Sequence, residues 1–249
     1  MSKQVAFGRN VVEEALRTPG RVSRLYLAKE SRARWAEAVV AQARAQKVRF
    51  DFVPQAKLNE LSGAREHQGV VAVVSPVAYV PLERCLKTCP EQATLVALDG
   101  VQHPRNLGML FRTALGAGVS AVLIPARGGA LLDPDVARAS AGAVFQVTTV
   151  KCGNLAQALR TCRRAGFWLY GLDAKGERNV FDTSWPDRIV LVLGNETQGL
   201  RPGIKKACDS LVRIPLDGNL DSLNVAVAGG IALFQIFSQR TAEGGKRSR

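Results

Sequence analysis

Histidine, aromatic residues and paired cysteines are scarce in this 249-residue sequence, and each scarcity argues against a class of site. The chain has 2 histidines and 5 cysteines, and none of the cysteines shows the Cys-x-x-Cys spacing of common zinc ligands. We therefore expect no metal site, and we expect reduced thiols in a cytoplasmic protein. Aromatic residues make up 6% of the chain, which poorly supplies the stacking platforms of single-strand binders.

Long apolar runs are also missing. The longest nearly apolar stretch, from Val225 to Phe237, is too short to span a bilayer and fits a buried helix. The N-terminus has no signal-peptide core. We expect no membrane partner.

Acidic residues are outnumbered. The chain has 34 Lys and Arg against 21 Asp and Glu, a net charge of +13. Such an excess indicates a polyanionic partner, usually nucleic acid, although a basic surface can also serve only to resist aggregation. Residues 1–90 carry 15 basic and 8 acidic residues, which favours an RNA-docking module in this part of the chain.

Strand-like and helix-like patterns alternate along the chain, which predicts an α/β fold. We predict a small α/β/α domain over residues 1–77 and a linker with little helical periodicity over 78–92. A larger domain with a parallel-type sheet follows over 93–241. The last residues, 242–249, read as a basic tail without regular structure.

Two neighbouring loops late in the chain predict a ligand pocket. The apolar run Ile189–Leu193 is typical of a strand buried on both faces, and it ends in the glycine-containing loop 194–200. Val212–Ile214 predicts another strand, stopped by Pro215 and followed by a polar loop to Ser222. Ligands of α/β sheets bind at the carboxyl ends of strands, where glycines allow close approach to the backbone.

A third polar cluster follows the predicted strand Thr94–Asp99. We predict that Asn106 caps a helix over 107–117, which carries Arg112. The turn before this helix lacks the Gly-x-Gly-x-x-Gly fingerprint, so a nicotinamide oxidoreductase is disfavoured, and the chain has no Walker sequence.

These clusters carry a family resemblance. Asn106–Arg112, Leu193–Glu196 with Gly199-Leu200, and Ile214–Leu216 with Ser222–Val225 resemble the three motifs of the SpoU (TrmH) RNA 2′-O-ribose methyltransferases. The segments Phe7–Asn10 and His67–Ala72 resemble the substrate-binding domain of the RlmB-like branch, which acts on large-subunit rRNA.

The resemblance implies S-adenosylmethionine as methyl donor, a C-terminal deep trefoil knot, and a homodimer packed through the knot region and the helix 224–240. The implied cofactor-binding residues are Gly194, Ile214 and Leu223, with Leu193, Asn195, Leu216 and Ala226 as close neighbours; Ala226 stands where many members carry serine. The implied catalytic residues are Arg112, Asn106, Glu196, Ser222 and Asn224.

The chemistry suggests roles for these residues. Arg112 would grip the target phosphate and stabilise the developing alkoxide, since a free guanidinium keeps its proton. Asn106 and Glu196 would orient Arg112 and the ribose. Ser222 and Asn224 would hold the hydroxyl and the loop. Simpler roles as helix caps or loop residues exist for Asn106, Glu196 and Ser222.

We therefore expect a dimeric RNA ribose 2′-O-methyltransferase acting on a guanosine of large-subunit rRNA. One alternative is the same chemistry on tRNA. Another is an RNA-binding ribosome-assembly factor that keeps the fold without turnover.

Overall fold

The structure, a computed structural model, describes residues 4–30, 34–129, 131–218 and 220–247. The chain forms two compact units. The first comprises Met1–Ala78 together with Leu131–Gln146, and the second comprises Tyr79–Ala130 with Val147–Arg249. The elements of the first unit are β1 (Gln4–Phe7), α1 (Arg9–Arg17), β2 (Val22–Ala28), α2 (Arg34–Ala45), β3 (Arg49–Val53), α3 (Gln55–Ser62), β4 (Val70–Val74) and α6 (Pro134–Ala139).

The first unit is built on a four-stranded sheet in the order β1-β4-β2-β3. Strands β2 and β3 are parallel, and β4 is antiparallel to both β1 and β2. Helix α3 supplies Leu58 to a small core on one face of this sheet. The inserted helix α6 packs against β1, and its first turn is capped by Asp133, whose Oδ1 accepts a hydrogen bond from the backbone N–H of Val136 (3.0 Å).

The second unit is a seven-stranded sheet in which every pairing between neighbouring strands is parallel. The strand order is β7-β6-β5-β10-β8-β11-β9. The elements are α4 (Leu82–Thr88), β5 (Ala93–Asp99), α5 (Pro104–Gly116), β6 (Ala121–Pro125), β7 (Thr149–Cys152), α7 (Leu155–Arg164), β8 (Trp168–Leu172), β9 (Arg178–Asn179), β10 (Arg188–Gly194), α8 (Pro202–Lys205), β11 (Ser210–Arg213) and α9 (Val225–Arg247).

Strand β10 lies near the middle of this sheet, between β5 and β8, and Ile189–Leu193 are buried along it. This confirms the prediction of an α/β fold with a parallel sheet and of a strand buried on both faces. Because all strands run the same way, the residues that follow β5, β8, β10 and β11 emerge at one edge. The predicted trefoil knot stays a prediction.

Two local features differ from the expectations. Helix α4 lies inside the segment expected to be a linker, and its Cys85 is buried in the core of the second unit. Helix α9 continues to Arg247, so residues expected in an irregular tail from 242 are helical, and Ser248 and Arg249 lie outside the described residues. Within the described ranges, no helix is long and apolar enough to cross a lipid bilayer.

Candidate active site

A cavity of about 400 Å³ opens in the second unit at the carboxyl ends of β8, β10 and β11. Its volume falls within the range of pockets that hold drug-sized ligands, roughly 300 to 1,000 Å³. The walls come from the ends of β8 and β10, from the loops after β8, β10 and β11, and from residues of helices α8 and α9. The lining residues are Leu172, Asp173, Ala174, Lys175, Leu193, Gly194, Asn195, Glu196, Thr197, Gln198, Gly199, Lys205, Ile214, Leu216, Ser222, Leu223, Val225 and Ala228.

The loop after β10 is a tight turn that requires glycine. A Cβ on Gly194 would lie 2.3 Å from the carbonyl carbon of Gly199, closer than side chains tolerate. Gly199 itself has φ +66°, and the backbones of Asn195 and Gly199 exchange two hydrogen bonds (3.0 and 2.9 Å). The Asn195 side chain accepts hydrogen bonds from the backbone N–H groups of Thr197 and Gln198. The backbone of this turn can therefore approach a ligand closely and holds its shape without one.

Glu196 is the centre of a polar network beside the cavity. Its Oε1 accepts hydrogen bonds from Asn106 Nδ2 (3.0 Å) and from the backbone N–H of His103 (3.2 Å). Asn106 Oδ1 in turn accepts a hydrogen bond from Asn224 Nδ2 (3.0 Å). Asn224 Oδ1 accepts one from the backbone N–H of Ala226 (2.9 Å). The network thus joins the loop after β10 to the starts of α5 and α9, three parts of the chain that are far apart in sequence.

The network keeps Glu196 ionised. Burial acts to raise the pKa of the Glu196 carboxyl group. The hydrogen bonds from Asn106 and from nearby backbone N–H groups outweigh burial, so the pKa lies below its ordinary value. At neutral pH the site therefore presents a fixed carboxylate whose orientation is set by several donors.

The prediction that Asn106 caps its helix is wrong. Helix α5 begins at Pro104, with His103 at the N-cap position, so Asn106 lies inside the first turn. Proline suits this position because its missing N–H needs no partner there. The Asn106 side chain is consequently free to bond Glu196 and Asn224 across the chain instead of its own helix.

Arg112 is placed differently from the other proposed catalytic residues. It is exposed on α5 and does not line the cavity. Among the described residues its side chain has no hydrogen-bond or ion-pair partner. Ser222, by contrast, lines the cavity, and it is exposed. Asn106 and Asn224 are not part of the cavity lining. Asn106 is hydrogen-bonded to the lining residue Glu196, and Asn224 lies between the lining residues Leu223 and Val225.

The residues proposed for cofactor binding mostly share this cavity. Gly194 and Asn195 contribute the turn, while Leu193, Ile214, Leu216 and Leu223 contribute apolar wall. Ala226 is buried and is not part of the lining; it contacts the network through its backbone N–H to Asn224. The cavity is therefore lined in part by apolar side chains and in part by the tightly turned backbone at Gly194 and Gly199.

Sequence reasoning missed one wall of the cavity. Leu172 ends β8 and the next three residues, 173–175, follow it, while Lys205 comes from α8. The signal that could have found the first of these segments was present, because β8 is also a parallel strand whose carboxyl end falls at the ligand edge. Lys205 had no such signal, since it lies on a four-residue helix that the pattern did not reveal. Within the described ranges, no group of three or more His, Cys, Asp or Glu is arranged to hold a metal ion.

Two protein-family models match the chain. The model of the SpoU rRNA Methylase family matches residues 93–234. The model for RNA 2′-O ribose methyltransferase substrate binding matches residues 5–80.

Known proteins match the chain over most of its length. A putative TrmH family tRNA/rRNA methyltransferase of Staphylococcus aureus is 32% identical over 96% of this chain and 98% of its own. The crystal structure of an AdoMet-bound rRNA methyltransferase from Sinorhizobium meliloti matches with a TM-score of 0.79 at 28% identity, over 95% of this chain and 87% of its own. A TrmH/SpoU tRNA-modifying enzyme of A. aeolicus matches with a TM-score of 0.56 at 29% identity, over 66% of this chain and 84% of its own.

Proposed function

The chain belongs to the SpoU rRNA methylase family and is an RNA methyltransferase, and on this premise we propose that it methylates the ribose 2′-hydroxyl of a guanosine in large-subunit rRNA. The methyl donor is S-adenosylmethionine, which supplies a methyl group on a sulfonium centre. Its adenosyl part would occupy the cavity between the loops after β8, β10 and β11.

The network that joins Glu196, Asn106 and Asn224 is the observation that carries this proposal. A ribose hydroxyl is a weak nucleophile. Methyl transfer to its oxygen therefore depends on alignment of that oxygen with the methyl group and on stabilisation of the negative charge that develops on the oxygen. A carboxylate and two amides, bonded to one another at 3.0 Å, form a rigid support for a sugar next to a cofactor-sized cavity.

Arg112 would supply the positive charge. The exposed guanidinium has no partner in the described part of the chain, so it is available to an RNA phosphate. A guanidinium does not release its proton in proteins, so Arg112 would act by binding phosphate and stabilising the alkoxide, while the proton passes to another acceptor. Ser222, at the cavity wall, would position the hydroxyl.

The share of this chain that aligns with each solved structure favours ribosomal RNA over tRNA as the substrate. The rRNA methyltransferase of Sinorhizobium meliloti aligns with 95% of this chain, whereas the tRNA-modifying enzyme of A. aeolicus aligns with 66%. The substrate-binding match covers residues 5–80, and residues 1–90 carry a net charge of +7. A separate basic unit suits a large structured RNA, where phosphate contacts position the enzyme and add affinity.

A homodimer completes the proposal. Five apolar side chains on α5 and α9 are between 37% and 49% exposed: Met109, Leu115, Val227, Phe234 and Phe237. Helices α5 and α9 pack against each other, and a Cβ on Gly116 would lie 3.7 Å from the Phe234 ring. This pair of helices thus presents several large apolar groups on one unit, a feature typical of a subunit interface.

The test is methyl transfer from radiolabelled S-adenosylmethionine to unmodified large-subunit rRNA and, separately, to unmodified tRNA. We expect label in rRNA at an alkali-resistant linkage, and we expect Arg112→Ala to reduce the rate at least about 100-fold, as for loss of one group that stabilises developing charge. Arg164→Ala, which removes an exposed arginine at the end of α7, before β8 begins, is the matched control and should keep the wild-type rate.

Label in tRNA alone would overturn the rRNA assignment and keep the chemistry. Binding of rRNA without label, in free RNA and in assembling subunits alike, would favour a non-catalytic assembly factor. Equal rates for wild type and Arg112→Ala would remove Arg112 from the mechanism.

A further inference from the structure

A buried carboxylate stands on the cavity wall that the sequence motifs do not cover. Asp173 follows β8 directly, and its side chain is only 9% exposed, yet it lines the cavity. Burying a carboxylate in this way costs free energy unless its oxygens find donors. The Asp173 carboxylate therefore needs hydrogen-bond donors, either from the protein or from a ligand in the cavity.

Two donors account for part of the hydrogen-bonding capacity of this carboxylate. Lys205 Nζ lies 2.5 Å from Asp173 Oδ2, and the backbone N–H of Lys175 donates to Oδ1 (3.0 Å). An ionised carboxylate has about four lone-pair positions, so roughly two remain for other donors. Although burial acts to raise the pKa of Asp173, the Lys205 and Lys175 hydrogen bonds lower it below its ordinary value, and the group is anionic at neutral pH.

The backbone around Asp173 is held firmly. Its N–H donates to the carbonyl oxygen of Val212 (2.9 Å), and the N–H of Gly176 donates back to the Asp173 carbonyl oxygen (2.9 Å). A Cβ on Gly176 would lie 2.5 Å from the backbone of Val212, so the turn is pressed against β11. A carboxylate on such a support has a defined position relative to the cavity.

The charge balance indicates which kind of ligand group Asp173 can bind. Lys205 already neutralises the carboxylate and also lines the cavity, together with Lys175. A second cation, such as the α-ammonium of a methionine moiety, would be placed beside these two lysines and repelled. A neutral donor such as a sugar hydroxyl meets no such repulsion and gains a hydrogen bond to a charged acceptor.

We propose that Asp173 accepts a hydrogen bond from a ribose hydroxyl of the adenosyl group of the cofactor and so positions the nucleoside in the cavity. This inference rests on the proposed use of S-adenosylmethionine. It places the ribose near the carboxyl end of β8, where an acidic residue at a strand end serves the same purpose in other nucleotide-binding α/β sheets. Lys205 holds Asp173 ionised and in place.

The experiment measures binding by calorimetry, with no RNA present. S-Adenosylhomocysteine and its 2′-deoxy and 3′-deoxy ribose analogues are titrated into wild type, Asp173→Asn and Glu177→Gln. Glu177 is an exposed carboxylate in the same loop, outside the cavity lining, so its variant controls for the change in charge. Thermal unfolding without ligand reports whether each variant is folded.

In wild type and in Glu177→Gln we expect at least one deoxy analogue to bind about 10- to 100-fold more weakly than S-adenosylhomocysteine, the effect of losing a hydrogen bond to a charged group. In Asp173→Asn the same analogue should bind less than about threefold more weakly than S-adenosylhomocysteine, because the substitution has already weakened the acceptor of the ribose hydroxyl. Lys205→Met removes the amine that holds the Asp173 carboxylate ionised and in place, so it should weaken the discrimination between analogues.

Two results would overturn the inference while leaving the proposed function intact. One is equal affinity of wild type for S-adenosylhomocysteine and both deoxy analogues, which needs no folded variant to interpret. The other is the same loss in wild type and in Asp173→Asn. Failure of wild type to bind S-adenosylhomocysteine at all would instead refute the proposed cofactor, and the inference with it.

Discussion

Replacement of Glu196 by glutamine tests the polar network directly. Glutamine keeps the size of the side chain and removes its charge. It also turns one acceptor oxygen into an NH₂ group among donors, since Asn106 Nδ2 (3.0 Å), Asn195 Nδ2 (3.3 Å) and the backbone N–H of His103 (3.2 Å) all point to the carboxylate. At least one of these donors must then lose its partner.

The magnitude follows from the surroundings of the carboxylate. Hydrogen bonds to a charged group contribute about 1.5 to 3 kcal/mol each when buried. Glu196 is only partly buried, so solvent screens the network, and we expect Glu196→Gln to lower the free energy of unfolding by about 1 to 2 kcal/mol at pH 7.

The effect must depend on pH in one direction. The pKa of Glu196 is lower in the folded protein than in the unfolded chain, so its contribution to stability is present above the ordinary carboxyl pKa, about 4.3. The contribution is lost as the pH falls through the lowered pKa of the folded state. The difference between wild type and variant should therefore shrink below about pH 4.

Urea unfolding at pH values from about 7 down to 3.5 measures both quantities. Glu177→Gln, at an exposed carboxylate, should change the free energy of unfolding by less than about 0.5 kcal/mol throughout. A difference between wild type and Glu196→Gln that stays constant with pH would refute the reasoning, because it would place the effect in shape and not in charge.

Two further predictions concern the turn after β10 and the apolar helix face. Gly194→Ala places a Cβ 2.3 Å from the backbone of Gly199, so we expect it to lower the free energy of unfolding by about 2 kcal/mol or more and to abolish binding of S-adenosylhomocysteine. Gly153→Ala is the control: nothing lies within 4 Å of its Cβ, so stability and binding should both stay nearly unchanged. Phe234→Glu should shift the mass by light scattering from dimer to monomer, with Leu131→Glu, at a residue 73% exposed in the first unit, as control. A wild-type monomer at micromolar concentration would exclude the dimer, and wild-type binding by Gly194→Ala would show that the turn can move aside.

The residues of the candidate site differ in how far the sequence alone could indicate them. The sequence pattern predicts the loops after β10 and β11, because apolar strands and the glycines that follow them are local signals. Both loops line the cavity. The local pattern predicts that Asn106 caps a helix, because a polar residue before an apolar run is the usual signature of a cap. Only the folded chain shows that α5 starts at Pro104 and that the side chain of Asn106 bonds Glu196, 90 positions away in sequence.

The sequence by itself determined the α/β class, the buried central strand and the family, because periodicity and short motifs are properties of neighbouring residues. Tertiary structure decided which distant residues share the cavity. Strand β8 lies between β10 and β11 in the sheet, which brings Asp173 and Lys205 to the same cavity that Gly194, Ile214 and Leu223 line. Strand order depends on the total free energy of packing many segments together, and no single stretch of the chain carries that information.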